Sequence, residues 1–120
     1  MTTRGPITTH ILDTSLGRPA AGVEVRLYFA DKGDFADKGD AELGRGVTDA
    51  DGRLATLMAP GSLTRGTYRI AFETGAYFAA QERACFYPRV EITFTVASET
   101  EHYHVPLLLN PYGYSTYRGS

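Results

Sequence analysis

The chain has little of what several large protein classes require. A single cysteine, Cys85, stands among 120 residues, so no intrachain disulfide can form and an oxidising destination is not implied. No window has the length of apolar sequence that a membrane span needs. The opening Met1-Thr-Thr-Arg-Gly-Pro-Ile7 lacks the apolar stretch of a secretory signal, and the closing Arg-Gly-Ser is not a peroxisomal Ser-Lys-Leu address. Lysine and arginine are scattered without a run and the formal net charge is −2, which leaves no electrostatic footprint for nucleic acid. The expectation is a cytoplasmic protein with neither nucleic acid nor a membrane as partner. Histidine is scarce too: His10, His102 and His104 are all there is.

What the chain does have is a period of two. Val23, Val25, Leu27 and Phe29 alternate with Glu24, Arg26 and Tyr28; Tyr68, Ile70 and Phe72 with Arg69, Ala71 and Glu73; Val90, Ile92, Phe94 and Val96 with Glu91, Thr93 and Thr95. Each run reads as a strand with one face in a core. Turn signals at 15–19, 49–52, 59–62 and 98–101 separate them. The strands expected are Ile7 to Asp13, Val23 to Phe29, about Gly44 to Thr48, Arg53 to Met58, Thr67 to Thr74, Arg89 to Ala97 and His102 to Leu109, with a short one around Tyr114 to Tyr117. In the first, either Ile7, Thr9 and Ile11 or Thr8, His10 and Leu12 face inward. The fold class is therefore all-β, an antiparallel β-sandwich of about eight strands. The length fits a single domain over 1–120, enough to bury roughly two-thirds of its unfolded surface.

Two stretches depart from this pattern. Gly75 to Cys85 is alanine-rich and poor in β-branched residues, so it reads as a short helix started near Thr74 and stopped before Pro88. Residues 29–34 and 35–40 repeat the hexapeptide Phe-Ala-Asp-Lys-Gly-Asp. A cation loop would need more oxygen ligands at set positions, so this duplication reads as a lengthened surface loop, which costs little.

The end of the chain is unusual for a terminus. Tyr103, Tyr112, Tyr114 and Tyr117 lie in it, and it closes on Tyr117-Arg118-Gly119-Ser120. Tyrosine supplies rigid apolar area with a polar tip, suited to a pocket wall or an interface. His102 and His104 share one face of the last long strand, opposite Tyr103, Val105 and Leu107. Three readings of the pair compete. It is solvated surface; or a zinc site, although no carboxylate or cysteine lies at ligand spacing; or a general acid–base, which an unperturbed pKa of about 6.5 suits. Arg53 alone reads as a solvated residue at a strand start.

Three blocks carry a resemblance: Thr9-His10-Ile11-Leu12-Asp13 with Gly17 to Val23, then Thr48-Asp-Ala-Asp-Gly-Arg53, then His104-Val-Pro-Leu-Leu-Leu109 with Tyr112-Gly-Tyr-Ser-Thr-Tyr-Arg-Gly-Ser120. Over nearly the whole chain the sequence resembles the 5-hydroxyisourate hydrolases, the transthyretin-related enzymes of purine degradation. The resemblance implies a transthyretin-like (prealbumin-like) sandwich with one helix between its fifth and sixth strands. It implies a catalytic trio of His10, Arg53 and His104, and a substrate-binding tetrapeptide of Tyr117, Arg118, Gly119 and Ser120, with His102 outside the trio. It implies no metal and no cofactor. The reaction implied is hydrolysis of the cyclic amide of 5-hydroxyisourate to the ureido-imidazoline product of urate degradation. His10 or His104 would be the base; arginine stays charged and serves better as a donor to oxygen. The implied assembly is a homotetramer with sites in a channel between dimers. The rival is a non-catalytic transthyretin-like carrier; transthyretin has lysine where His10 stands and lacks the Tyr-Arg-Gly-Ser end.

Overall fold

A computed structural model describes residues 4–30 and 41–120; most of the duplicated hexapeptide lies outside the described residues. Strands β1 (Ile7–Asp13), β2 (Arg18–Pro19), β3 (Glu24–Phe29), β4 (Ala41–Val47), β5 (Arg53–Leu54) and β6 (Gly66–Phe72) precede one helix, α1 (Thr74–Ala79), and β7 (Val90–Val96), β8 (Tyr103–Asn110) and β9 (Gly113–Thr116) follow it. One sheet runs β2-β1-β8-β9, with β5 also paired to β1; the other runs β4-β3-β6-β7. The expected sandwich with one helix is present. All ladders are antiparallel except β1 with β8, which pair in parallel from Ile7 beside Tyr103 to Asp13 beside Leu109.

The core lies between the sheets and follows the period of two. Ile7 and Ile11 of β1, Val25 and Leu27 of β3, Ile70 and Phe72 of β6, and Leu107 of β8 are wholly buried. That settles β1: Ile7, Thr9 and Ile11 point inward, and His10 and Leu12, half-buried, point outward. Burying such side chains is worth about 1.5–3 kcal/mol each.

Two elements are shorter than the alternation suggests. Arg53 to Met58 was expected as a strand, but only Arg53–Leu54 pair in the sheet. Beyond them Ala55 turns its carbonyl to Gly5 N–H at 2.8 Å, and Leu57 drops into the core, so apolar burial pulls the chain off the sheet edge. The helix stops at Ala79 although the alanine-rich run continues. There Glu82 takes φ +54°, Glu82 N–H bonds to Ala79 O and Arg83 N–H to Phe78 O, both at 3.0 Å. This is a Schellman closure, which satisfies the last helical carbonyls. It turns Arg83 back across β1, where its Nη1 meets Asp13 Oδ2 at 2.9 Å.

Candidate active site

The site is built on the outer face of the first sheet. Register sets Thr8 beside His104 and His10 beside Pro106, and His10 opposite Arg53. Side chains paired across a ladder rise from the same face. His10, Arg53 and His104, far apart in sequence, therefore emerge on one side of the sandwich.

Local chemistry puts Arg53 there. Asp49 Oδ1 accepts from Asp51 N–H at 2.9 Å and from Arg53 N–H at 3.0 Å, the side-chain turn that aspartate favours. Gly52 at φ +74° closes it, a left-handed position suited to glycine, and its carbonyl accepts from Ile11 N–H at 2.8 Å. The turn is thereby stitched to β1, and the next residue is Arg53.

The tail lies against the same strand. After β9 it stays in register with β8: Thr116 opposes Leu107, Gly119 opposes His104, and Gly119 N–H donates to His104 O at 2.8 Å. A Cβ on Gly119 would sit 2.5 Å from His104 Cδ2 and 3.3 Å from Pro106 Cγ. Its backbone φ is not left-handed. The glycine is thus required for close approach to the imidazole rather than for a left-handed backbone.

A cavity of about 170 Å³ forms where these elements meet, lined by Arg53, His104 and Ser120 together with Arg4, Thr8 and His102. His10 does not line it and is tied to it by its pairing with Arg53. Tyr117 and Arg118 line a second, apolar cavity of about 320 Å³ with Ile92, Phe94, Tyr103, Val105 and His104 itself. The Arg118 guanidinium sits 4.4 Å from the Tyr103 ring centroid and donates to Glu101 Oε1 at 2.8 Å. Within one chain, then, Arg53, His104 and Ser120 share the first cavity, His104 also lines the second with Tyr117 and Arg118, and Arg118, Gly119 and Ser120 line a further cleft; His10 lies beside Arg53 in the ladder.

Three lining residues lie outside the set that the resemblance implies. His102, read as surface or as a support behind the trio, has its Nε2 3.0 Å from Thr8 Oγ1, and His104 Nδ1 lies 2.8 Å from the same oxygen. The alternation that pairs His102 with His104 was the available signal for it. Thr8 carried only its place two residues before His10, and Arg4, outside any strand, carried none.

The electrostatics favour a neutral imidazole. Burial pushes the His104 pKa below its usual 6.5, and the positive groups of His102, His10, Arg53 and Arg4 push it the same way. His102 is lowered by burial first and then by Arg4. Such a site holds a neutral base beside a fork-shaped cation able to bind an oxygen that gains negative charge.

Comparison with known proteins agrees. The chain is 45% identical over 114 residues to the 5-hydroxyisourate hydrolase of Salmonella typhimurium, covering 95% of this chain and 80% of that one. The solved structure of Klebsiella pneumoniae 5-hydroxyisourate hydrolase matches with a TM-score of 0.79 at 41% identity, covering 95% of this chain and 92% of the other. Sea bream transthyretin in complex with thyroxine matches with a TM-score of 0.84 at 33% identity, covering 95% and 94%. The HIUase/Transthyretin family pattern spans residues 7–119, and the chain belongs to that family.

Proposed function

We propose that this protein hydrolyses the cyclic amide of 5-hydroxyisourate in urate degradation, using His104 as general base. The observation that carries the reading is the convergence of His104, Arg53 and Ser120 on one cavity with His10 paired to Arg53. His104 Nε2 takes a proton from water as the water oxygen adds to the ring carbonyl. The oxyanion that develops is met by the Arg53 guanidinium. The C–N bond then breaks, and the proton held on His104 passes to the leaving nitrogen. No nucleophilic serine or cysteine is needed.

The carrier alternative has one observation in its favour: overall shape resembles the thyroxine-bound transthyretin at least as closely as the Klebsiella enzyme. Fold therefore does not separate the two readings, and the site does. A carrier has no use for a desolvated neutral histidine beside an arginine, and identity is higher to the hydrolases than to that transthyretin.

The assembly proposed is a homotetramer in the cytoplasm, the compartment that a lone, half-buried Cys85 suits. Among the described residues no helix is long and apolar enough to cross a membrane. Large apolar side chains stand uncovered: Phe86 is 66% exposed and Tyr112 69%. A cavity of about 170 Å³ is also below the roughly 300 Å³ typical of an enclosed ligand pocket, so a neighbouring chain would complete it.

The test is direct. The protein is added to freshly oxidised urate, and the decay of hydroxyisourate absorbance is followed against the spontaneous rate. Acceleration that disappears in His104→Asn supports the proposal. No acceleration by folded wild-type protein, with tight binding of a hydrophobic phenol instead, would favour the carrier.

A further inference from the structure

The contact between Thr8 and both histidines is not used by the mechanism above. Thr8 is only 5% exposed, and the two rings stack with centroids 6.4 Å apart and planes 18° from parallel. A threonine hydroxyl owns one proton. With a ring nitrogen at 2.8 Å and another at 3.0 Å, it donates to one ring and accepts from the other. The three groups form a chain with a direction.

The direction decides what His104 can do. In one sense His104 Nδ1–H donates to Thr8 Oγ1, whose own proton goes to His102 Nε2, and His104 Nε2 keeps a lone pair. In the other sense every proton is reversed and Nε2 carries hydrogen. With Nδ1 taken by Thr8, Nε2 is the nitrogen left for the cavity, and among the described residues it has no protein hydrogen-bond partner. The cavity brings Arg4 and Arg53 beside it, and arginine only donates. A lone pair facing those cations is favoured, which selects the first sense.

We propose that Thr8 and His102 are positioning residues that hold His104 in the tautomer with hydrogen on Nδ1, so that Nε2 is always ready as a base. In that tautomer Nε2 accepts a proton from water with no other hydrogen having to move. The imidazolium that results still donates to Thr8, whose oxygen is polarised by its bond to His102. The inference rests on the hydrolase reading for its consequence in rate, although the tautomer itself can be measured without turnover.

The experiment compares wild type with Thr8→Val, Thr8→Ser and His102→Ala by imidazole nitrogen resonances and by turnover of hydroxyisourate. Wild type should show His104 hydrogen-bearing at Nδ1 and bare at Nε2. Thr8→Val, close in shape but without the hydroxyl, should move His104 toward the mixed tautomers of free imidazole. It should lower kcat by about 10–100-fold, by analogy with losing the partner that orients a metal-bound histidine, with KM little changed. His102→Ala should do the same more weakly, and Thr8→Ser, which keeps the hydroxyl, should restore both signals. A wild-type His104 protonated at Nε2 overturns the proposal, as does a Thr8→Ser variant as impaired as Thr8→Val. If Thr8→Val does not fold, the wild-type resonances together with Thr8→Ser and His102→Ala decide it. A wild type that shows the tautomer but no hydrolysis would remove the proposed reaction and leave the hydrogen-bonded chain standing.

Discussion

As the proposed base, His104 would set the acid limit of the site. A depressed pKa keeps the neutral form to lower pH, so the base is lost only as pH falls through that lowered value. The sequence places the fall below about pH 6.5, the ordinary histidine range; burial and the neighbouring cations move it further toward acid. The kcat/KM profile should therefore hold through pH 6.5 and break below it, and His104→Asn should remove the break with most of the rate. A break at or above 6.5 would contradict the desolvated environment. Gly119→Ala tests the tail contact: its methyl would collide with the imidazole at 2.5 Å from Cδ2. Activity should drop while thermal stability changes by less than about 1 kcal/mol, since the end of the chain is exposed. At this scale whole motifs drew attention to His10, Arg53 and His104, which the register sets on one side of the sheet. The bond from Thr8 to two histidines was not, because it depends on which strand lies beside β1.

Asp13 holds the elements around the helix. Its carboxylate is wholly buried and accepts from Ser15 N–H at 3.0 Å, Tyr77 O–H at 2.7 Å and Arg83 Nη1 at 2.9 Å. Burial alone would raise its pKa; the bonds from Arg83, Ser15, Tyr77 and Leu16 outweigh it and hold the group at about 2. Because this value lies below the unfolded one, the stabilisation is complete above pH 3.8 and is lost as pH falls through about 2, amounting to about 2 kcal/mol. Denaturant titrations from pH 5 to pH 2 should show that loss, and Asp13→Asn should flatten it. The tail is the other test among elements. Ending the chain after Thr116 removes the residue bridged to His104 and the Ser120 wall of the cavity. Turnover should fall by about 10²–10³ if Arg118, removed with them, helps Arg53 hold the developing oxyanion, with circular dichroism unchanged. A full rate in the truncated protein would exclude them from the site. Strands β1, β3, β6 and β8 were legible because one face of each is buried, which fixes a period of two; β4, with no buried face, begins three residues before the expected Gly44. The shortness of β5 and α1 was not, because Leu57 and the Arg83 pair with Asp13 are tertiary contacts that override local preference.

Across the molecule, several uncovered aromatic groups cluster: Tyr87 meets Phe86 and Tyr114 edge to face, with centroids 4.9 and 5.5 Å apart. A homotetramer would cover such surface, and light scattering should then give four times the 13.1 kDa chain mass. A stable, active monomer would sink the proposed assembly. The parallel ladder between β1 and β8 has a consequence for biosynthesis. The bond from Thr8 to His104 spans 96 residues of sequence. During translation β1 must wait, with one long edge unpaired, until β8 has left the ribosome. Non-local pairing of this kind is slow to form and leaves a strand open to wrong partners meanwhile. The proposed site and the completed sheet therefore mature together, and a ribosome-stalled chain lacking β8 would carry neither.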